Sequence, residues 1–407
     1  MINAPDGVPS DLFSQEELAT LREVGIALFA GRLLLNAQPP IDDEVLDAVA
    51  ARCAGPLPEP LVALWRTAFG GRLDYDLRAE LDGQEVPISF TELFFPGSDD
   101  YRDLWGWIEH ECTLAERHWP DWSGRLVHLP IGGFEYLDRV YVDTSVGPEH
   151  GAVVCWRQGL PEGWELRTGD RAGRLADDLR ALFGQLVLEN DPWEPPDDAA
   201  DAGLAIRDAV DGLADDTNPH ARTAAEKLRR LVQATVLDWR GALDRGTLPS
   251  EPRLRRLALT RAAEGDDVEL LTRLVELGCD PSEKVDNGLA PIDVALHQGA
   301  VRAARWLLDQ GVPVENTLLL RADVVDADLA RALLDRGAHV HAGTLWRALD
   351  NEDVGVLRLV LRAFPSDDTL ARLAPKLRMH AARAGRDEHR AAILKEVADR
   401  RRSGHRT

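Results

Sequence analysis

Two stretches set the reading of the C-terminal half: Leu274-Val275-Glu276-Leu277-Gly278-Cys279-Asp280 and Leu307-Leu308-Asp309-Gln310-Gly311-Val312-Pro313, whose glycines lie 33 residues apart. A third copy, Leu333-Leu334-Asp335-Arg336-Gly337-Ala338, follows after 26 residues. A fourth, Leu359-Val360-Leu361-Arg362-Ala363-Phe364, follows after 27 more, with Phe where glycine is expected. A fixed period of this length is the mark of stacked supersecondary units, none of which buries its apolar face alone. In each copy the apolar pair is expected to end a helix packed on its neighbour, and the glycine to stop that helix in a left-handed conformation costly for other residues. The series predicts an all-α repeat region over residues 257–366.

Working outward, Ala290-Pro291-Ile292-Asp293 opens the unit between the first two glycines, with Ala295 and Gly299 following. Proline suits the first turn of a helix, where its missing N–H has no partner to lose. Spacing and helix opening together resemble degenerate ankyrin repeats. The resemblance implies binding through loop tips and first helices, and it marks Asp280, Asp286, Asn287 and Glu315 as contact positions.

At 407 residues the chain exceeds the ~250–300 at which one hydrophobic core stops growing, so more than one domain is expected. Its net charge is −23. Residues 376–407 hold ten Lys and Arg against four acids and so carry +6, leaving −29 on the rest. That body opposes direct binding of nucleic acid, whose phosphates demand clustered cations, and favours a basic protein partner. Cys53, Cys112, Cys155 and Cys279 are widely spaced and form neither a C-x-x-C pair nor a disulfide framework; buried thiols in a reducing compartment are expected. The N-terminal sequence has no basic-then-apolar leader pattern, and no ~18-residue apolar run follows. A soluble, cytoplasmic protein is the expectation.

Residues 1–56 carry helical apolar spacing (Leu18, Leu21, Ile26, Leu28, Leu33) and a second helix capped at Asp42 or Asp43, and are expected to form an N-terminal helical extension. From 57 to 190 the pattern is mixed. Leu61, Leu64, Trp65, Ala68 and Phe69 form a short helical face before Gly70-Gly71, residues 105–118 suit a helix, and Val140–Asp143 and Ala152–Trp156 read as neighbouring antiparallel strands. Leu175, Leu179, Leu182 and Phe183 close the region as a helical stripe. Residues 189–216 hold three prolines and ten acids against one Arg, so 191–220 reads as an acidic linker. A helical connector over 221–256 and a basic C-terminal cap or tail over 367–407 complete the division.

Residues 57–190 resemble the SUKH superfamily of α+β domains. The likeness rests on the Leu57-Pro58-Glu59-Pro60-Leu61 helix start with Trp65 and Gly70-Gly71, on the stretch from Leu126 to Leu137 containing Pro130-Ile131-Gly132-Gly133, and on the two strands and closing helix after it. It implies an antiparallel sheet with flanking helices. It also implies a role in bacterial immunity: binding and neutralising a cognate toxin domain, often a nuclease or nucleic-acid deaminase with a basic surface, with no catalysis. A regulatory adaptor for an endogenous partner is the alternative.

No nucleophile elbow, phosphate loop, H-E-x-x-H or calcium loop occurs in the sequence. The nearest approaches are Gly132-Gly133, which reads as a strand-edge turn, and Glu109, His110, Glu111, Glu116 and His118, which would be needed for a metal. The expectation is therefore a monomeric binder without cofactor or metal. Its contact positions in the 57–190 region are Asp99, Asp100, Asp103, Trp105, Asp143 and Glu149.

Overall fold

A computed structural model of the chain describes residues 12–98, 102–134, 137–158, 170–194, 202–285, 288–314, 317, 319 and 321–404. It divides into two compact units, Met1–Leu237 and Asp238–Thr407. The first is mixed α and β with a small antiparallel sheet; the described elements of the second are helical.

In the first unit, helix α1 (Gln15–Glu23) opens with a reciprocal cap: the Glu17 N–H donates to the Ser14 hydroxyl at 3.2 Å and the Ser14 N–H to the Glu17 carboxylate at 2.6 Å. The apolar spacing beyond it belongs to strands, which corrects the helical extension expected for 1–56. Ala30 and Gly31 have φ of 46° and 73°, the two-residue turn whose twist matches a hairpin, and join β1 (Ala27–Phe29) to β2 (Arg32–Leu34). Leu28, Phe29, Leu33 and Leu34 are all buried, so no polar face reveals a period of two. Nor are residues 12–56 an extension: these side chains share one core with the rest of the unit, and Phe183 lies edge-on to Phe29 at 5.0 Å.

Helix α2 (Asp43–Ala50) is capped by Asp42, and α3 (Glu59–Thr67) buries Leu61, Leu64 and Trp65. There follow β3 (Gly71–Arg72), β4 (Arg78–Leu81), β5 (Gln84–Pro87), β6 (Glu92–Leu93), α4 (Leu104–His118), β7 (His128–Phe134), β8 (Asp138–Asp143), β9 (Val153–Arg157), β10 (Arg171–Ala176) and α5 (Leu179–Gln185). Six strands form an antiparallel sheet in the order β10-β9-β8-β7-β6-β3; β4 and β5 pair as a separate hairpin. The Gly132-Gly133 step lies inside β7 rather than at a strand-edge turn, bonded to β6 on one side and β8 on the other. A Cβ at Gly133 would stand 2.1 Å from the Asp138 carbonyl, and one at Gly132 2.4 Å from that of Glu92, so only glycine admits both neighbours.

The acidic stretch expected as a linker over 191–220 is structured where it is described. Ile206, Val210 and Leu213 line one face of α6 (Leu204–Ala214) and are buried, while its acids face out. Asp74 accepts from the Ala205 N–H at 2.7 Å, and α6 packs on α7 (Pro219–Gln233). Lys227 of α7 donates to both carboxylate oxygens of Glu17, at 2.8 and 2.7 Å. The unit boundary therefore falls after Leu237, within the 221–256 connector and not at the proline-rich stretch.

The second unit runs α8 (Trp239–Arg245), α9 (Pro252–Glu264), α10 (Val268–Glu276), α11 (Pro291–Gln298), α12 (Val301–Asp309), α13 (Ala327–Asp335), α14 (Ala342–Asp350), α15 (Val354–Ala363), α16 (Asp367–Arg383) and α17 (Asp387–Gly404). Gly278, Gly311 and Gly337 take φ of 96°, 82° and 99°, as the repeated motif requires. The shortening of the period has a structural cause. Before α13, residues 321–325 form turns instead of a first helix, and the buried Asn351 amide donates to the carbonyls of Ala322 and Val325 at 2.9 and 2.8 Å.

The missing fourth glycine is also explained. Phe364 leaves α15 in an extended conformation, and Arg400 donates to the carbonyls of Leu361, Arg362 and Phe364 at 2.5, 3.0 and 2.9 Å. Arg386 likewise donates to the carbonyls of Leu349 and Asn351 at the end of α14. Part of the basic tail thus satisfies orphan carbonyls and complements the negative ends of helices.

Two outcomes test this division. A chain ending at residue 237 retains a cooperative urea transition followed by circular dichroism, whereas one ending at 190, which lacks α6 and α7, does not. Arg400→Met, which leaves three carbonyls without their donor, lowers the unfolding free energy of the full chain by about 2 kcal/mol in the same measurement.

Candidate binding site

The most unusual chemistry of the first unit lies between α4 and the sheet. Strand alternation turns Val140 and Val142 to one face of β8 and Arg139 and Tyr141 to the other. Register places Trp156 of β9 directly opposite Arg139. On α4, Asp103 caps the helix by accepting from the Gly106 N–H at 2.9 Å, and helical spacing buries Leu104, Trp107, Ile108, Cys112 and Ala115. Trp107 thereby stacks on Phe94, with ring centres 5.7 Å apart.

The Arg139 guanidinium lies over two indoles, 4.6 Å from the Trp107 ring and 4.3 Å from that of Trp156. Its Nε donates to the Tyr141 hydroxyl at 2.8 Å, and that hydroxyl donates to the Glu111 carboxylate at 3.0 Å. Glu111 itself is 3.6 Å from Arg139. A cation this buried needs such compensation: two π faces, a hydrogen bond and a counter-charge. Burial, followed by the Glu111 charge, raises the Tyr141 pKa, so the phenol stays a donor.

On the outer side of the same helix, Arg102, Gly106, Glu109, His110 and Thr113 line an open depression of about 440 Å³. Arg102 reaches over the Trp107 ring at 5.3 Å, and Glu109 pairs with Arg52 at 3.2 Å. His110 stands edge-on to Trp107 at 5.6 Å. Its pKa is pushed down to about 4, first by burial and then by the charges of Arg102 and Arg139, so the imidazole is neutral at pH 7. A shallow, rigidly backed surface of one cation, one paired acid and a neutral ring suits recognition.

Other candidate chemistry is used elsewhere. Glu111 turns to the sheet and Glu109 to Arg52, and among the described residues no three His, Cys, Asp or Glu side chains are placed to hold a metal ion. All four thiols are buried, and burial raises their pKa values, to about 11 for Cys53 and about 12 for Cys155, which makes them poor nucleophiles at neutral pH.

Among the described residues, the contact positions expected from sequence differ in exposure and in the partners they already hold. Asp103 is occupied by its cap, where its second oxygen also accepts from the Gly97 N–H at 3.0 Å. Trp105 packs half-buried against the core. Asp143 is buried, accepting from the Ser145 N–H and hydroxyl at 2.7 and 2.5 Å, which corrects its assignment as a contact. Glu149 is exposed and pairs with Arg174. Asp280, in the second unit, is exposed and accepts from the Ser282 N–H at 2.8 Å. Asp99, Asp100, Asp286, Asn287 and Glu315 lie outside the described residues, as do Glu135 and Tyr136 of the glycine-containing stretch. Sequence reasoning missed Arg139. The available signal was an arginine inside a valine strand with Tyr two residues on, a pattern that puts a charge on a covered face.

No protein-family model and no curated protein matches the chain.

Replacing Arg139 with Ala, which leaves Glu111 without its buried partner, costs roughly 3–5 kcal/mol of unfolding free energy. The His110 shift has a definite sign. Between its ordinary value of 6.5 and about 4 the unfolded chain binds the extra proton and the folded chain does not. Stability from this group is therefore complete above pH 6.5 and falls as the pH drops toward 4. In urea midpoints measured across that window, His110→Gln shows a shallower decline than the parent chain.

Proposed function

We propose that the chain is a non-catalytic immunity protein, monomeric and cytoplasmic, that neutralises a cognate toxin domain by covering it. The observation that carries the reading is an exposed apolar set on segments of the first unit that are tied together. Trp119 is 62% exposed, Val127 41% and Val146 83%. The Thr144 N–H donates to the Val127 carbonyl at 2.7 Å and its hydroxyl to that of Leu126 at 2.8 Å. The turn after α4 is closed by the Trp122 indole donating to the Arg125 carbonyl at 2.9 Å. A tryptophan this exposed is of the residue type that dominates binding energy at protein interfaces.

Two further features support the reading. The −29 carried outside the C-terminal tail suits a basic partner, since complementary charge speeds encounter and fixes orientation. The helix start at α3, the glycine-containing β7, the β8–β9 pair and the closing α5 follow the order in which the sequence resembles SUKH domains. The helix pairs of the second unit, with left-handed glycines at 278 and 311, support the ankyrin-like reading of that region.

The test is co-expression with the effector encoded beside this gene: growth rescue and a co-purifying complex are expected, and loss of both ends the proposal. Within such a complex, Trp119→Ala weakens binding by about 2 kcal/mol or more, near thirtyfold, as read by titration calorimetry. Thermal unfolding of the free protein shifts little, because the side chain is largely solvent-exposed.

A further inference from the structure

The last two described helices of the second unit leave an apolar space between them. Here α16 and α17 enclose between them a groove of about 420 Å³ that is apolar apart from Arg378 and Arg402. Ile393 and Ala374 form its buried floor, Val397 its half-buried wall, and Leu394 at its edge is 45% exposed. Met379, elsewhere on α16, is 50% exposed. Pro375 lines the groove in mid-helix and has no N–H to give the Ala371 carbonyl one turn back, so a backbone acceptor borders the same space.

We propose that this groove is a docking site for an amphipathic, acidic α-helix of another protein, independent of the toxin surface on the first unit. Charge selects the occupant. No carboxylate lines the groove; its charged residues are both arginines, in a chain whose net charge is −23, and Lys376 and Lys395 lie exposed on the same two helices. The Arg402 guanidinium is largely exposed while it pairs with Asp399, so a partner's carboxylate can reach it. A second copy of the chain is disfavoured, since a two-fold contact through the groove sets its arginines against one another. Nucleic acid is disfavoured by the apolar floor. Apolar side chains at i, i+3 or i+4 and i+7 of a partner helix would enter between α16 and α17, with carboxylates at its flanks meeting Arg378 and Arg402.

The experiment uses the full chain and a labelled synthetic helix carrying leucines at that spacing with glutamates between them, read by fluorescence anisotropy. Saturable binding is expected, weakened at least about tenfold when the glutamates are replaced by lysines, and equally by Leu394→Asp or by Arg378→Glu in the protein. Unchanged thermal unfolding of the two variants shows that the loss is local. Absence of saturable binding, or equal binding of the lysine helix, overturns the proposal. So does a dimer in sedimentation that Leu394→Asp dissolves, for then a second copy occupies the groove. None of these outcomes bears on rescue by co-expression, so this proposal and the immunity reading fail separately.

Discussion

A single buried cation organises the first unit. Arg139 cannot be left in the interior without compensation, and each part of that compensation comes from a different element: Trp156 from the neighbouring strand, Tyr141 from its own, Trp107 and Glu111 from α4. Meeting the electrostatic requirement of one guanidinium therefore fixes the position of α4 on the sheet. The outer surface of that helix inherits its rigidity. Arg102 and His110 also contact the Trp107 ring, and the neutral state of His110 follows from burial and from the two guanidinium charges.

The second unit meets a different demand, that of helix ends. Each helix leaves carbonyls unpaired at its C-terminus. Where Gly278, Gly311 and Gly337 occur, the chain turns left-handed and satisfies them locally. At α14 and α15 it does not, and Arg386 and Arg400 supply the donors from the following helix pair. The positive charge at the end of the sequence is thus partly structural, and the residues left over border an apolar groove. The chain thus combines an acidic body with an arginine-edged groove between α16 and α17.

Particular elements show how much could be read in advance. The β8–β9 pair was legible because two short runs rich in valine and aromatic residues flank a turn-rich stretch, and the helix over 104–118 because its apolar residues recur every three or four. The β1–β2 hairpin was hidden by burial on both faces, which removes the alternation that identifies a strand. Helix α6 was hidden by composition: Ile206, Val210 and Leu213 form a stripe too narrow to stand out among the acids around it. Of the site, Glu109, His110 and Glu111 were noticed, but Arg139 was not. A charged residue in a strand is ordinarily a solvated one, and only the packing of α4 over that face makes it central.

The sequence by itself determined what depends on neighbours along the chain: the left-handed glycines at helix ends, the period of the first two repeat units, the capping of α2 from the Asp42-Asp43 pair, and the two strands either side of a turn-rich stretch. These are set by backbone sterics and local hydrogen bonding. Only the tertiary structure decided what depends on residues far apart in sequence. It placed 12–53 and 204–233 in the core of the 57–190 region, put Asp143 out of a partner's reach, replaced a repeat's first helix by turns held from Asn351, and wrapped two tryptophans around Arg139. The reason is that burial and the compensation of buried charge are collective, and no local stretch of sequence states which face another element will cover.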